Sequence, residues 1–435
     1  MKNKLPKKWL LMIGALCMTT LIVASLAHLN QFKSSFKLLA NENEGVVVSD
    51  KEQGNADHAD IAINEQGDGV IVWQQQTPEW NIYAQRINKA GEKLGPIFKV
   101  NQVSGTPQRF PRVAMNKNGD FVVVWQSFFE WGSGVEILGQ KFHANGEKWG
   151  SEFKVNAIRI VNQILPDVAL NDLGSFAVVW SGENFENPDR KYIYYRSFNP
   201  EGEPFQKYEI KISAPETRLA TNPAVSINAK GQTLVVWQEY IKDTWDIYAQ
   251  VITNGQKSLK TSLRINNNAA LNQIHPDAAT KNNDDFLVVW SNETLHMPIN
   301  MIKRNIVGQI LSGSGGKKGG AFNISEGVFN HNNYPSVSSG KNNTLVVWQS
   351  FEKGEWKIAG QFLDPSGRPA GDMFTIIKNT HETEPYTDLG WNIYPDVEMD
   401  GGGCLGIVWT YFDLEKKQKS IFYKPLDSLS CPSTP

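Results

Sequence analysis

The chain has 435 residues, 43 basic against 45 acidic, and its net charge of −2 leaves no broad basic field to hold a nucleic acid. Aromatic residues make up 11% of it and glycine-rich turns are frequent, while long stretches of helical periodicity are missing. That composition excludes a helical bundle and points to an all-β chain.

The N-terminal segment stands apart. Lys2, Lys4, Lys7 and Lys8 precede an uncharged run from Trp9 to Ala27, the pattern of an export signal. Ser25-Leu26-Ala27 offers small residues to a signal peptidase, with cleavage expected before His28. The run is also just long enough to span a bilayer, so an uncleaved anchor with its lysines inside is the second reading. A lipid anchor at Cys17 is disfavoured, because Leu16 before it matches a lipoprotein box poorly. Each reading puts the body outside the cytoplasm: periplasmic, secreted, or membrane-anchored facing out. Residues 1–27 are thus the signal peptide or anchor, and 28–43 a linker.

Beyond the linker the chain repeats itself. Trp73, Trp125, Trp180, Trp237, Trp290, Trp348 and Trp409 each close an apolar run such as Val122-Val123-Val124-Trp125, and they recur every 52 to 61 residues. A period of this size means one supersecondary unit used seven times. Each unit offers four strand-like pieces. The first is expected to follow a proline, as in Pro111-Arg-Val-Ala-Met-Asn116, with Ala59 in that place in unit one. A turn rich in Asn, Gly and Asp leads to the second, the Val-Val-Trp run, which is apolar without alternation and so must be covered on both faces. The third reads Ile137-Leu-Gly-Gln140 and the fourth Phe153-Lys-Val-Asn156. Such a unit fits a propeller blade packed between two neighbours. Small residues at one position of the first strand (Ala62, Ala114, Ala169, Ser226, Ala279, Ser338) suit crowding near an axis, and Glu398 breaks that rule.

Unit seven lacks a fourth strand, and Val46-Val47-Val48-Ser49 lies before unit one where the last strand of a preceding blade would lie. The predicted fold is therefore all-β: a single seven-bladed β-propeller of four-stranded antiparallel blades over residues 44–428. The N-terminal strand closes the ring by pairing in the last blade, which covers two open strand edges. Residues 429–435 form a C-terminal tail. If Cys17 leaves with the signal, Cys404 and Cys431 remain, and a disulfide between them would pin that tail to the last unit. Two unpaired thiols fit the sequence equally well.

The phrase Gly119-Asp-Phe-Val-Val-Val-Trp125-Gln-Ser, with Ile137-Leu-Gly-Gln140-Lys-Phe142, Gly146, Gly150 and Phe153-Lys-Val-Asn156, resembles a repeat of bacterial secreted and surface β-propeller proteins. The resemblance covers all seven units with varying fidelity. It implies a binding scaffold and transfers no catalytic residue. The sialidase Asp-box is absent, and no arginine triad can be placed.

The residue after the proline reads Asp60, Arg112, Asp167, Ala224, Asp277, Ser336 and Asp396 around the ring. Four carboxylates converging on one axis would hold a cation, calcium above all, or a basic partner loop. The alternative is that each aspartate caps its own turn. His58 and His275, two residues before Asp60 and Asp277, read as exposed loop histidines, since their units are not neighbours. The connection from Asn379 to Pro395 is six residues longer than its counterparts and carries His381, Glu382, Glu384 and Trp391, a candidate binding element. The repeated Gln85, Gln140, Gln250, Gln309 and Gln361 read as structural, since a fivefold copy suits every blade better than one site.

No zinc-protease helix, nucleophile elbow, phosphate loop or calcium loop is present. The sequence is therefore read as an exported non-enzymatic binding or scaffold module that recognises a protein or glycan at the channel face. No cofactor is required and no nucleic acid is a partner, and the membrane is met only through the N-terminal segment if uncleaved. The competing reading is a glycan-active hydrolase or lyase whose channel-mouth carboxylates act as acid and base. Paired carboxylates of raised proton affinity in a pocket favour the enzyme, whereas ordinary exposed acids in a shallow channel favour binding.

Overall fold

A computed structural model describes residues 45–50, 54–129, 134–158, 162–183, 186–214, 216–259, 261–267, 271–296, 301–325, 331–341, 343–352, 355–378, 394–400, 403, 405–413 and 417–426. The chain divides after Glu42, and every described strand belongs to the second unit, Asn43–Pro435. The segments expected to be signal and linker, and the tail with Cys404 and Cys431, lie outside the described residues.

Each repeat is an antiparallel meander. In blade 2 the strands are Gln108–Met115, Phe121–Phe128, Val135–Phe142 and Lys148–Lys154, paired in that order. Among the described residues seven such sheets follow one another. Blades 3 and 4 touch through one parallel bridge, Lys191 with Leu219, and blades 5 and 6 through another, Arg304 with His331. Blade 7 takes its inner three strands from Asp396–Met399, Leu405–Asp413 and Gln418–Leu426, and its outer strand from Val46–Val47, in register Val46 with Tyr423 and Val47 with Phe422. The chain is a β-propeller closed by its N-terminal strand, as predicted.

The Val-Val-Trp strand is apolar on both faces because each face serves a different neighbour. Val123 and Trp125 pack with Val70, Val72 and Ala84 of blade 1, whereas Val122 and Val124 pack with Val178 and Trp180 of blade 3. A buried indole N–H needs an acceptor. Trp125 donates to Gln108 Oε1 at 2.7 Å and Trp180 to Gln163 Oε1 at 2.6 Å, each acceptor lying at the start of its blade's first strand. The glutamine of the third strand is structural, as expected: Gln140 Nε2 donates to the carbonyls of Lys141 and Gly150, and Gln361 Nε2 to those of Phe362 and Gly371. The glycine before it makes room for the outer strand, since a Cβ on Gly139 would lie 2.6 Å from the Phe153 ring.

One boundary differs from expectation. The first strand begins three residues before the proline, at Gln108 rather than after Pro111, and crosses a bulge between Arg109 and Arg112. Proline has no N–H to give a ladder, so the strand continues past it by bulging. The residue before the proline slot takes left-handed torsions in six blades: His58, Phe110, Leu165, Asn222, His275 and Tyr334 have φ of 51–54°.

Candidate functional site in the axial channel

The bulges all point to the axis. One cavity of about 340 Å³ is lined by the same three-residue element from all seven blades: His58-Ala59-Asp60, Phe110-Pro111-Arg112, Leu165-Pro166-Asp167, Asn222-Pro223-Ala224, His275-Pro276-Asp277, Tyr334-Pro335-Ser336 and Tyr394-Pro395-Asp396. Its size falls within the range of small-molecule sites. The residue before the proline slot forms the upper wall, and the residue after it the floor.

The left-handed residues are held by the preceding blade. Phe110 N–H donates to Gln74 Oε1 at 2.7 Å, Leu165 N–H to Gln126 Oε1 at 2.7 Å, and His275 N–H to Gln238 Oε1 at 2.8 Å. Backbone strain of this kind persists where the surroundings over-determine it, commonly at functional sites.

The carboxylates do more than bond their own turns. Each reaches to the next blade: Asp60 accepts from Val113 N–H at 2.6 Å, Asp167 from Val225 at 2.8 Å, Asp277 from Val337 at 2.8 Å and Asp396 from Ile61 at 3.1 Å. Asp167 and Asp277 also bond the next N–H of their own strands, Val168 and Ala278, so local capping accounts for part of their bonding and the bulge carries the rest across the blade interface. Ser336 continues the pattern with Val397 N–H at 3.2 Å and donates its hydroxyl to Asp396 Oδ1 at 2.7 Å. Arg112 offers no acceptor. Its guanidinium instead lies 2.9 Å from Asp60 and 3.9 Å from Asp167.

Burial sets the proton affinities on this floor. Asp60 is pushed well above the ordinary carboxylate range by burial and the nearby charge of Asp396, against the pull of Arg112. Burial raises Asp167 to about 6, with Arg112 and two backbone N–H groups restraining it. Asp277 reaches about 7 through burial and the charges of Asp396 and Asp167. Glu398, the exception in the small-residue column, is driven by burial and Asp396 to about 8. Burial works against the Arg112 charge, but Asp60, Asp167 and Asp396 more than reverse that, so the guanidinium stays protonated. Arg112 lines the cavity and keeps 45% of its side-chain surface exposed. Among the described residues, no group of three or more His, Cys, Asp or Glu side chains is spaced to hold a metal ion.

The wall carries an arc of rings that reading only the aspartate column misses. Phe110, His58, Tyr394, Tyr334 and His275 follow one another around blades 2, 1, 7, 6 and 5, with successive centroids 4.6, 4.9, 4.8 and 4.0 Å apart. Leu165 and Asn222 of blades 3 and 4 leave the arc open on one side. The two histidines are half-buried strand residues, which corrects their reading as exposed loop groups. They share one cavity, but two tyrosines stand between them. His275 Nδ1 meets Asn333 Oδ1 at 2.8 Å, and burial lowers its proton affinity to about 4. The signal for the arc was the column before the proline, five of whose seven members carry an aromatic or imidazole ring. His381, Glu382, Glu384 and Trp391 of the long insertion lie outside the described residues, which resume at Tyr394.

No protein-family model matches the sequence, and no curated protein matches it. Solved structures do. An ulvan lyase, a polysaccharide lyase bound to a GlcA(1-4)Rha3S glycan, is 9% identical over 89% of this chain and 95% of its own, with a TM-score of 0.55. An α-L-arabinanase of Penicillium chrysogenum complexed with arabinobiose is 12% identical over 88% and 98%, TM-score 0.49. A further polysaccharide lyase is 8% identical over 89% and 90%, TM-score 0.49. At these identities the likeness is one of fold.

The expectation of a non-enzymatic binding or scaffold module is corrected at this point. A shallow channel ringed by ordinary exposed acids would have favoured it. The channel instead holds partly buried carboxylates of raised proton affinity, on a frame similar to that of a polysaccharide lyase over 89% of this chain.

Proposed function

We propose that this chain is an exported glycan-active enzyme, a hydrolase or lyase, that works in the axial channel with its carboxylates as acid and base. The observation that carries the reading is the spread of proton affinities at the cavity: Asp167 near 6 and Asp277 near 7 line it, and Glu398, near 8, follows two residues after the lining Asp396. At neutral pH such a set contains both a protonated acid able to donate to a leaving oxygen and an ionised carboxylate able to accept a proton. Environments that push neighbouring carboxyl groups apart in this way are how one site performs both halves of glycoside cleavage.

The rest of the cavity supports a sugar as the substrate. The ring arc offers flat apolar faces for the C–H faces of pyranose or furanose rings, and the carboxylates and Arg112 below offer acceptors and a donor fork for hydroxyl or acidic groups. The fold likeness to an ulvan lyase is consistent with that partner class. Export rests on the basic, then apolar segment at residues 1–27, and no helix among the described residues is long and apolar enough to cross a membrane.

The test is a panel of neutral, uronate-bearing and sulfated polysaccharides incubated with the mature chain. New reducing ends without ultraviolet absorbance identify a hydrolase, and an unsaturated, absorbing product identifies a lyase. Unchanged chain lengths across the panel would refute the reading.

A further inference from the structure

We infer that His58 is a proton-transfer residue of the channel and that Asp57 positions it for that role; this rests on the glycan-active reading of the same cavity. Asp60, two residues further along the strand, is not the partner of His58. Asp60 is committed to blade 2 through Val113 N–H and Arg112. Asp57 takes its place. Its side chain is buried, and its Oδ1 lies 3.1 Å from His58 Nδ1. Lys419, from the third strand of blade 7, donates to Asp57 Oδ2 at 2.9 Å, and Gln74 Nε2 donates to Oδ1. Burial alone would raise the proton affinity of Asp57, yet the hydrogen bonds of His58 and Lys419 and the charge of the Lys419 ammonium hold it well below the ordinary carboxylate range.

Gln74 Nε2 also lies 3.4 Å from His58 Nδ1, but the ionised Asp57 Oδ1 is nearer at 3.1 Å and favours a proton on that nitrogen. With Nδ1–H donating to an ionised carboxylate, the lone pair sits on Nε2, the nitrogen left to meet a ligand in the cavity that His58 lines. The ring itself cannot swing easily. It meets Phe110 edge-on at 4.6 Å and lies tilted by 31° against Tyr394 at 4.9 Å, on a backbone with φ of 53°, and keeps 25% of its side-chain surface open. The titratable groups facing it are Asp57 on its own strand, and Lys419 and Tyr394 on blade 7.

The same slot in blade 5 provides an internal comparison. His275 Nδ1 meets the Asn333 amide rather than a carboxylate. An amide oxygen can orient an imidazole but cannot offset the charge of an imidazolium. Of the two histidines, only His58 has a partner able to do both.

The step is an ordinary proton transfer. Nε2 takes the proton from a water or sugar hydroxyl in the cavity, and the O–H electron pair stays on that oxygen. The imidazolium charge is offset by Asp57, which Lys419 keeps ionised. Return of the proton to the departing oxygen restores the neutral ring.

Diethyl pyrocarbonate, which acylates a presented neutral imidazole nitrogen, tests this on the whole chain without any glycan. Peptide mass mapping is expected to find His58 modified at least about tenfold faster than His275, and the Asp57→Asn variant is expected to slow His58 about fivefold. Ring nitrogen-15 NMR of the unaltered protein is expected to show neutral His58 as the Nδ1–H tautomer. On any glycan the protein cleaves, His58→Gln is expected to lower kcat by about 100-fold or more with KM within about threefold. An unreactive His58, an Nε2–H tautomer, or a His58→Gln variant that keeps its kcat would each overturn the assignment. If tautomer and reactivity are as stated but no glycan is cleaved, the enzymatic reading itself fails, and the catalytic role with it, while the Asp57–His58 pair stands.

Discussion

Ile421 N–H donates to Ser49 Oγ at 2.9 Å, joining residues 372 positions apart in the chain. The same bond recurs in other blades, from Ile82 to Asn101 Oδ1 at 2.8 Å, from Ile137 to Asn156 Oδ1 at 2.9 Å and from Ile306 to Ser325 Oγ at 2.8 Å. The N-terminal strand is therefore a full copy of the repeat's outer strand, down to the residue that ends it. Its position closes the ring, and the closed ring is what brings the bulges of six blades, and Tyr394-Pro395-Asp396 of the seventh, to one axis.

Ser49→Ala is expected to cost about 1–3 kcal/mol, because a buried N–H loses its acceptor. Deleting residues 45–49 is expected to cost more, since the Ile421 strand then faces solvent as an open edge. Urea unfolding of both variants checks this, and a deletion no more costly than the point change would contradict closure by this strand.

The channel acids make a pH dependence of unusual sign. Asp167, Asp277 and Glu398 bind protons more tightly folded than unfolded, at about 6, 7 and 8 against ordinary values of 3.8 and 4.5. Their contribution is full below the unfolded values and is lost as pH rises through the folded ones. His275, lowered to about 4, acts oppositely, but its effect lies between its ordinary 6.5 and 4. From pH 6.5 to 8 the carboxylates act unopposed by it. Tm is expected to fall across that window, and Asp277→Asn is expected to flatten the slope. A Tm that rises across the window would contradict the raised affinities.

Arg112→Met removes the guanidinium 2.9 Å from Asp60. Allowing for its partial exposure, the loss is expected to be about 1–2 kcal/mol at pH 8 and smaller at pH 5, below the value of about 6 at which its second partner Asp167 takes up a proton. Equal losses at the two pH values, measured by urea unfolding, would show that the arginine acts by packing alone.

Gln108→Leu strands the Trp125 indole N–H, which donates to Gln108 Oε1 at 2.7 Å in a fully buried site. The expected cost is about 1–3 kcal/mol with the channel unaltered. A variant as stable as the parent would mean that the indole has another acceptor.

The ring was legible because repeat spacing is a property of sequence: the position of Val46–Ser49 ahead of Ala59 repeats that of Asn101 ahead of Pro111. The aspartate column was legible for the same reason. What its members bond was not, because a bulge at residues such as Phe110 turns the next side chain toward another blade, and no local pattern announces that rotation. The strand start at Gln108 was hidden by Pro111, which usually marks a break. Phe110, Tyr334 and Tyr394 each look like an isolated aromatic and form an arc only once the blades are in a circle. Glu398 was visible as an exception among small residues, but its proton affinity depends on Asp396 and Asp277 and on burial, which belong to the assembled channel.

The central claim is that the channel carboxylates do chemistry on a glycan. Its most direct measurement is chain cleavage of the polysaccharide panel by the parent and by the Asp277→Asn/Glu398→Gln variant, with folding of both verified by thermal unfolding. The account predicts that the parent shortens at least one glycan and that the folded variant is slower by about 100-fold or more. Equal cleavage by the two would contradict it.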